Sequence, residues 1–375
     1  MTTPAPPDLL YSETEDDLRA AVRSLLTDRG GPTAALAEAE RARPYDPDLW
    51  RSLATGMGTA GLLVPERLGG QGATAREAAV VLEELGRSVA AVPYLTSAVL
   101  AVRTLLGCDT ARPEVAGPLA ALADGGRVGA LAVPLPTAPG GAPPATVGGS
   151  AAGLSGEITS VAGAAGADVL LIPADSGLYA VDTTAPGVAV TPLTPLDLTR
   201  PLARVTLTGA TATLLAEPAR ARDAVADALL TGAGLLASEQ LGIAEWCLAE
   251  TVRYTGGRHQ FGRPVGSFQA LKHRLAALWL DVVSARATAR NAADALATGS
   301  PDTAVAVAVA QAHCGEVAVR AAQECLQLHG GIGMTWEHPA HLYLKRAKSD
   351  QIALGTPGRH REALARLVNL PGPVG

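Results

Sequence analysis

Hydrophobic positions along the chain change period twice. From about residue 14 to 125 they recur at helical spacing: in ETEDDLRAAVRSLLTDRG, Leu18, Val22, Leu25 and Leu26 fall on one face, behind an acidic first turn. VPERLGGQGAT interrupts the pattern, AREAAVVLEELGRSV resumes it and stops at Gly86 or shortly after, and PYLTSAVLAVRTLLG predicts a third helix. From 126 to 220 the runs shorten. ALAVPL, VLLIPA, LYAVDT, GVAVTPL and ARVTLTGATATLL are rich in Val, Leu and Thr and are separated by Gly, Pro and Asp, as expected of an antiparallel β-domain. PTAPGGAPPATVGGSAAG, crowded with breakers, predicts a surface loop. From 221 to 375 long helical periods return, interrupted at Gly256–Gly257 and Pro301 and ending at Gly330–Gly331; antiparallel packing of such helices predicts a bundle. The expected organisation is therefore α+β, with an N-terminal helical domain (1–125), a middle antiparallel β-domain (126–220) and a C-terminal four-helix bundle (221–375).

Composition narrows the function classes. The chain has 375 residues, 48% hydrophobic and 18% charged, enough for more than one hydrophobic core and unlike a disordered chain. A formal net charge of -6 is the wrong sign for non-specific nucleic-acid binding. The N-terminal residues lack a basic and an apolar signal segment, and no apolar run suffices to span a bilayer, so a cytoplasmic location is expected. Cys108, Cys247, Cys314 and Cys325 are scattered and predict buried free thiols. His338 and His341 flank Pro339 without an accompanying cysteine cluster, and no metal site is expected.

Three segments carry candidate chemistry. In RHQFGRPVGSFQALKH, Arg258 offers a planar fork suited to phosphate, Gln260 an amide and Phe261 an apolar face; the chain's two phenylalanines, Phe261 and Phe268, both lie here. The same residues also fit a plain helix–helix hairpin with its phenylalanines in the core. CLQLHGGIG brings Gly330, Gly331 and Gly333 to a helix end, which suits a helix terminus or backbone amides facing a phosphate. No GxGxxG follows a strand and no GxxxxGK[ST] occurs, which removes the Rossmann and P-loop readings. LGTPGRHREALARLV enters a last helix through a Gly/Pro turn.

In this order and spacing the segments resemble the acyl-CoA dehydrogenase family over nearly the whole chain. RHQFGRPVGSFQALKH is similar to its R-x-Q-F-G…FQ…H signature and CLQLHGGIG to its Q-x-x-GG-x-G signature. The resemblance implies a three-domain fold, usually in tetramers, with FAD at a subunit interface and an electron-transfer acceptor. It further implies that Arg258, Gln260 and Phe261 reach the pyrophosphate and adenosine of a neighbouring subunit's FAD, with Gln269 near the same region. Gln327, Gly330 and Gly331 would face FAD across the dimer interface, and Thr356 would lie near an FAD of its own pocket.

The sequence departs from the family where the chemistry sits. Removing the weakly acidic α-proton of an acyl-CoA thioester requires a carboxylate base, often the Glu of an E-G-T segment. Here the matching residues read Leu354-Gly355-Thr356. The alternative base position, on the helix before the R-x-Q-F-G loop, falls at Gly232. Glu239, two helical turns or about 10 Å further along, is a displaced candidate that also fits a packing or capping role. Asp350 and Glu337 are weaker candidates by position. At the family's W-x-T/S segment stands Ser160-Val161-Ala162, without the tryptophan. The combination suggests one half of a mixed assembly with a Glu-bearing paralogue, acting on an acyl-CoA or related thioester. A homo-oligomeric member repurposed for another flavin-dependent or redox-neutral step, and a non-catalytic structural pseudoenzyme, are the alternatives.

Overall fold

The computed structural model describes residues 9–29, 31–40, 45–141 and 146–372. Helix α1 (Glu13–Asp28) starts from a capping box in which Ser12 and Glu15 each bond the other's backbone N–H, and it buries Val22 and Leu26. Short helices α2 (Gly31–Glu40) and α3 (Pro47–Arg51) precede α4 (Ala75–Arg87), which opens with a second capping box, Thr74 with Glu77. The predicted third helix is irregular: Tyr94–Ala101 is π-helical and continues as α5 (Val102–Leu106). Helix α6 (Pro113–Ala123) closes this region.

Among the described residues, eight strands follow in two four-stranded sheets. Strands β1 (Gly129–Leu131), β4 (Val169–Ala174), β5 (Gly177–Asp182) and β8 (Thr213–Ala216) form one, in the order β1-β4-β5-β8. The other runs β2-β3-β7-β6, from β2 (Val147–Ser150), β3 (Gly153–Ala162), β6 (Val188–Pro192) and β7 (Leu202–Ala210). Pairing is antiparallel except between β1 and β4, which run parallel. In β4, Val169 and Leu171 join the core shared with the helices, while Leu170 and Ile172 join the core of the β region, so a continuous apolar run serves two packed faces. The expected loop 136–153 is partly strand: Val147 is buried and its segment pairs with Gly153–Gly156, a register that outweighs its glycines. Residues 142–145 of that loop lie outside the described residues.

Helix α7 (Pro218–Gly257), 40 residues long with proline in its first turn, is the axis of the helical C-terminal part. Around it pack α8 (Gln269–Thr298), α9 (Thr303–Leu328) and α10 (Ala340–Ile352), and α11 (Pro357–Leu367) lies on α9. Against α4 the helix backbones nearly touch. A Cβ on Gly242 would lie 1.9 Å from the Glu83 carbonyl oxygen, and one on Gly86 would lie 2.1 Å from that of Glu239. All four cysteines are buried and free. No helix among the described residues is long and apolar enough to cross a membrane.

Candidate active site

Two exposed segments are brought together at the far end of α7. Its C-cap, Arg258, leaves the helical conformation, and His259–Gln260 (β9) pairs with Arg263–Pro264 (β10) in a two-residue hairpin. The turn residues Phe261 and Gly262 both have positive φ, 55° and 75°, as a type I′ hairpin turn requires. For phenylalanine this backbone is costly. Phe261 is nevertheless 90% exposed, edge-on to Phe268, whose ring also lies under the Arg263 guanidinium at 3.9 Å. The expected helix–helix connection thus carries a β-hairpin of its own, and Phe261 is not a core residue. Arg258, Gln260 and Gln269 are exposed as well.

Beside the hairpin stands the end of α9. Tyr254 stacks on His329 with ring centroids 4.2 Å apart, which ties the last turns of α7 to the Gly330–Gly331 turn. Gln327, Gly330 and Gly331 are exposed. Met334 and Trp336 extend this open surface at 71% and 68% exposure, an apolar continuation that the motif-based reading passed over.

The Leu354–Gly355 turn is tightly packed. Leu354 is 1% exposed, adopts φ of 54°, donates its N–H to the Leu135 carbonyl at 2.7 Å, and is bonded through its own carbonyl by His360 Nε2 at 2.9 Å. Gly232 lies directly against it: a Cβ there would meet Leu100 Cδ2 at 2.4 Å and Leu354 Cδ1 at 3.2 Å. The two positions at which a base was sought are therefore one place in the fold, filled by leucine side chains. Gly355 is backed by Ala138, 2.8 Å from where its Cβ would be. Ser160, also at positive φ, accepts the Leu135 N–H on its carbonyl. Thr356 is exposed and its hydroxyl caps α11 by accepting the Arg359 N–H. Alongside opens a cavity of about 1030 Å³ between the 134–141 segment, α7 and α11, with Asp227, Arg359 and Arg366 on its walls. Asp227 is engaged by Arg103 at 2.6 Å.

Glu239 belongs to a different place. It is buried with Arg200, Arg346, Asp197 and Asp350, which come from the loop before β7 and from α10. Its Oε1 accepts from both Arg200 Nη2 and Arg346 Nε at 2.6 Å. Although burial opposes the charge, the two guanidinium groups hold its carboxyl down at about 2, so it is a poor proton acceptor. Asp350 is the opposite case. Burial and the neighbouring Glu239 push its carboxyl up to about 8, and neither of its oxygens completes a hydrogen bond. Glu337 is exposed on the loop before α10.

This arrangement of helices, twin sheets and motif surfaces has close counterparts. The family profile described as acyl-CoA dehydrogenase, N-terminal domain, matches residues 12–121, and that described as acyl-CoA dehydrogenase, C-terminal domain, matches residues 223–368. The chain belongs to the acyl-CoA dehydrogenase family. Acyl-CoA dehydrogenase IpdE2 of Mycolicibacterium smegmatis is 38% identical over 95% of this chain and 98% of its own. Among solved structures, the ChsE4-ChsE5 complex from Mycobacterium tuberculosis superposes with a TM-score of 0.85 at 30% identity, covering 98% of this chain and 100% of that one. The Tcur3481-Tcur3483 steroid ACAD superposes at 0.84, also at 30% identity, covering 95% and 98%.

Acyl-CoA dehydrogenases carry FAD, and the residues of this chain fit that group at one end only. The hairpin and Gly330–Gly331 surface offers an exposed guanidinium, amide and aromatic ring, with Phe261 held outward at a cost in backbone strain. At the two positions matched to the family's base from the sequence, Gly232 and Leu354 carry no titratable group and pack with Leu100.

Proposed function

We propose that this chain is the base-lacking subunit of a heteromeric acyl-CoA dehydrogenase, sharing an FAD site with a Glu-bearing paralogous chain. The observation that carries this is the packing of Gly232 against Leu354: both base positions are non-acidic and occupy the same apolar spot. Two chains form the ChsE4-ChsE5 complex, which supports a paired assembly here. In the shared site the partner's carboxylate takes the α-proton of an acyl-CoA thioester. FAD, when bound, supplies the acceptor for the β-hydride. Arg258 neutralises pyrophosphate charge, Gln260 and Gln269 offer amide hydrogen bonds, and Phe261 gives an apolar face to the adenosine end. Gln327, Gly330 and Gly331 present a side-chain amide and bare backbone to the same group, and Thr356 lies near the second FAD position. An electron-transfer protein reoxidises the assembly. The Tcur3481-Tcur3483 steroid ACAD favours a steroid-derived acyl-CoA as the substrate class.

The test is to purify the chain alone and co-expressed with its Glu-bearing paralogue, and to measure flavin absorbance, native mass and thioester oxidation. Alone, the chain should be weakly flavinated and inactive; together, the two should form a yellow, active assembly. Arg258→Ala in that assembly should strip FAD and activity together. Full flavin occupancy with acyl-CoA oxidation by the lone chain would overturn the proposal.

A further inference from the structure

Behind the Gly330–Gly331 turn lies a group of side chains that the flavin-arm reading leaves unused. Glu250 sits on α7, His329 caps α9, and His338 stands two residues before α10. His338 Nε2 lies 3.5 Å and His329 Nε2 3.8 Å from the same oxygen, Glu250 Oε1. All three candidate ligand atoms fall within 4.8 Å of one another. A four-coordinate ion with ligands at ~2.0–2.2 Å needs edges of about 3.4 Å, so a contraction of a few tenths of an ångström closes two of them.

The setting of His329, buried with one ring nitrogen fixed and the other unbonded, suits a metal ligand. Its Nδ1 contacts the Cys325 carbonyl at 2.6 Å; a carbonyl only accepts, so Nδ1 carries the hydrogen and Nε2 is the ring nitrogen turned towards Glu250. His329 is 2% exposed, and that Nε2 makes no hydrogen bond. Beside the Glu250 carboxylate that nitrogen carries a proton or faces a cation, and a metal ion can take the proton's place. A histidine whose outer nitrogen is fixed by a backbone carbonyl is also the usual geometry of a metal-bound imidazole. The rings are already set, His329 between Tyr254 at 4.2 Å and His338 at 4.1 Å. Cys325 Sγ lies near Nδ1 at 3.7 Å and so backs the ring without facing the ion.

We propose that Glu250, His329 and His338 form a binding site for a divalent cation of the zinc class, pinning the end of α9 and the loop before α10 to α7. The fourth position faces the open side, since Glu250 and His338 keep 16% and 12% of their side-chain surface. Binding has two local costs. His338 Nδ1 accepts the Ala340 N–H at 3.2 Å and must carry a proton instead; that amide is the first of α10 and has no intrahelical partner in any case. Arg253 already engages both Glu250 oxygens, Nε to Oε2 at 2.8 Å and Nη2 to Oε1 at 2.5 Å, so an ion shares Oε1 with a guanidinium whose side chain is 72% exposed and can turn outward.

The site is tested on the metal-stripped full chain by Co2+ titration, followed by visible absorption, with Zn2+ competition and calorimetry. One equivalent of Co2+ should bind with the absorption of a four-coordinate ion, and Zn2+ should displace it. Glu250→Gln and His338→Gln, both at partly open positions, should each weaken binding at least tenfold while leaving far-UV circular dichroism unchanged. His273→Gln, at an exposed position on α8, should bind as the unmodified chain does. Absence of Co2+ binding, or binding that neither variant at the site weakens, would overturn the proposal.

Discussion

A glutamate at position 354 separates a chain that merely lacks a base from one whose catalytic pocket has been rebuilt. Leu354 is 1% exposed and its Cδ1 lies 3.2 Å from where a Gly232 side chain would begin. Leu354→Glu gives up the burial of a leucine, about 2 kcal/mol. The incoming carboxyl meets leucine side chains, so it stays protonated, and its unpartnered polar atoms cost a further ~1–3 kcal/mol. The strain of the positive φ is common to both residues and cancels. The sum, roughly 3–5 kcal/mol, should appear as a lowered urea midpoint against the unmodified chain. The His360 ring offers no ready partner, because its Nε2 already bonds the Leu354 carbonyl at 2.9 Å. Turnover is assayed with a panel of acyl-CoA thioesters, an artificial electron acceptor and added FAD, and the Leu354→Glu chain should stay at background. Unchanged stability together with measurable dehydrogenation by the single variant would refute the reasoning, because the pocket would then need only the missing carboxylate.

Three further outcomes follow from the buried charges and the α4–α7 contact. Asp350 has its carboxyl raised to about 8 in the folded chain, so it favours folding at low pH and loses that contribution as pH rises from about 4 through 8. Asp350→Asn should flatten the fall in urea midpoint between pH 5 and 8, a difference on the order of 2–4 kcal/mol; parallel pH profiles would count against the assignment. Glu239→Gln removes the carboxylate shared by Arg200 and Arg346 and should destabilise by about 3–5 kcal/mol at pH 7, far more than Asp350→Asn at the same pH. Gly242→Ala drives a methyl into the Glu83 carbonyl, which would lie 1.9 Å away, and should cost about 1–3 kcal/mol or more; an unchanged thermal midpoint would mean that the helices separate freely.

Much of the fold was readable because its signals are local. The capped start of α1, the helical spacing of Val22 and Leu26, and the apolar run of β4 all specify structure within a few residues. What escaped was set by distant partners. Val147–Ser150 reads as loop until Gly153–Gly156 pairs with it. Glu239 looked like a displaced base because its partners, Arg200 and Arg346, lie 39 and 107 residues away in the chain. His338 was paired on paper with His341, whereas the fold gives it His329 and Glu250. For the candidate site, the residue types at 232 and 354 were legible, but their mutual contact was not. Nor did spacing reveal that Phe261 is held outward on a left-handed backbone.

That contact changes what the missing base means. Had only position 354 changed, a side chain at 232 would still meet Leu100 Cδ2 at 2.4 Å. The absence of a side chain at Gly232 is what admits Leu100 and Leu354, so each residue is explained by the other two. The apolar filling stabilises the chain at this spot. At the opposite end the balance is reversed. A phenylalanine 90% exposed at φ of 55° makes one edge contact within its own chain, with Phe268, and a second surface over the ring would offset both its exposure and its backbone strain. Under the proposed shared site, one end is packed without a ligand and the other presents a surface for a partner. A self-sufficient dehydrogenase requires the reverse at the first end, and a pseudoenzyme with no contact to the flavin gives no reason for the second.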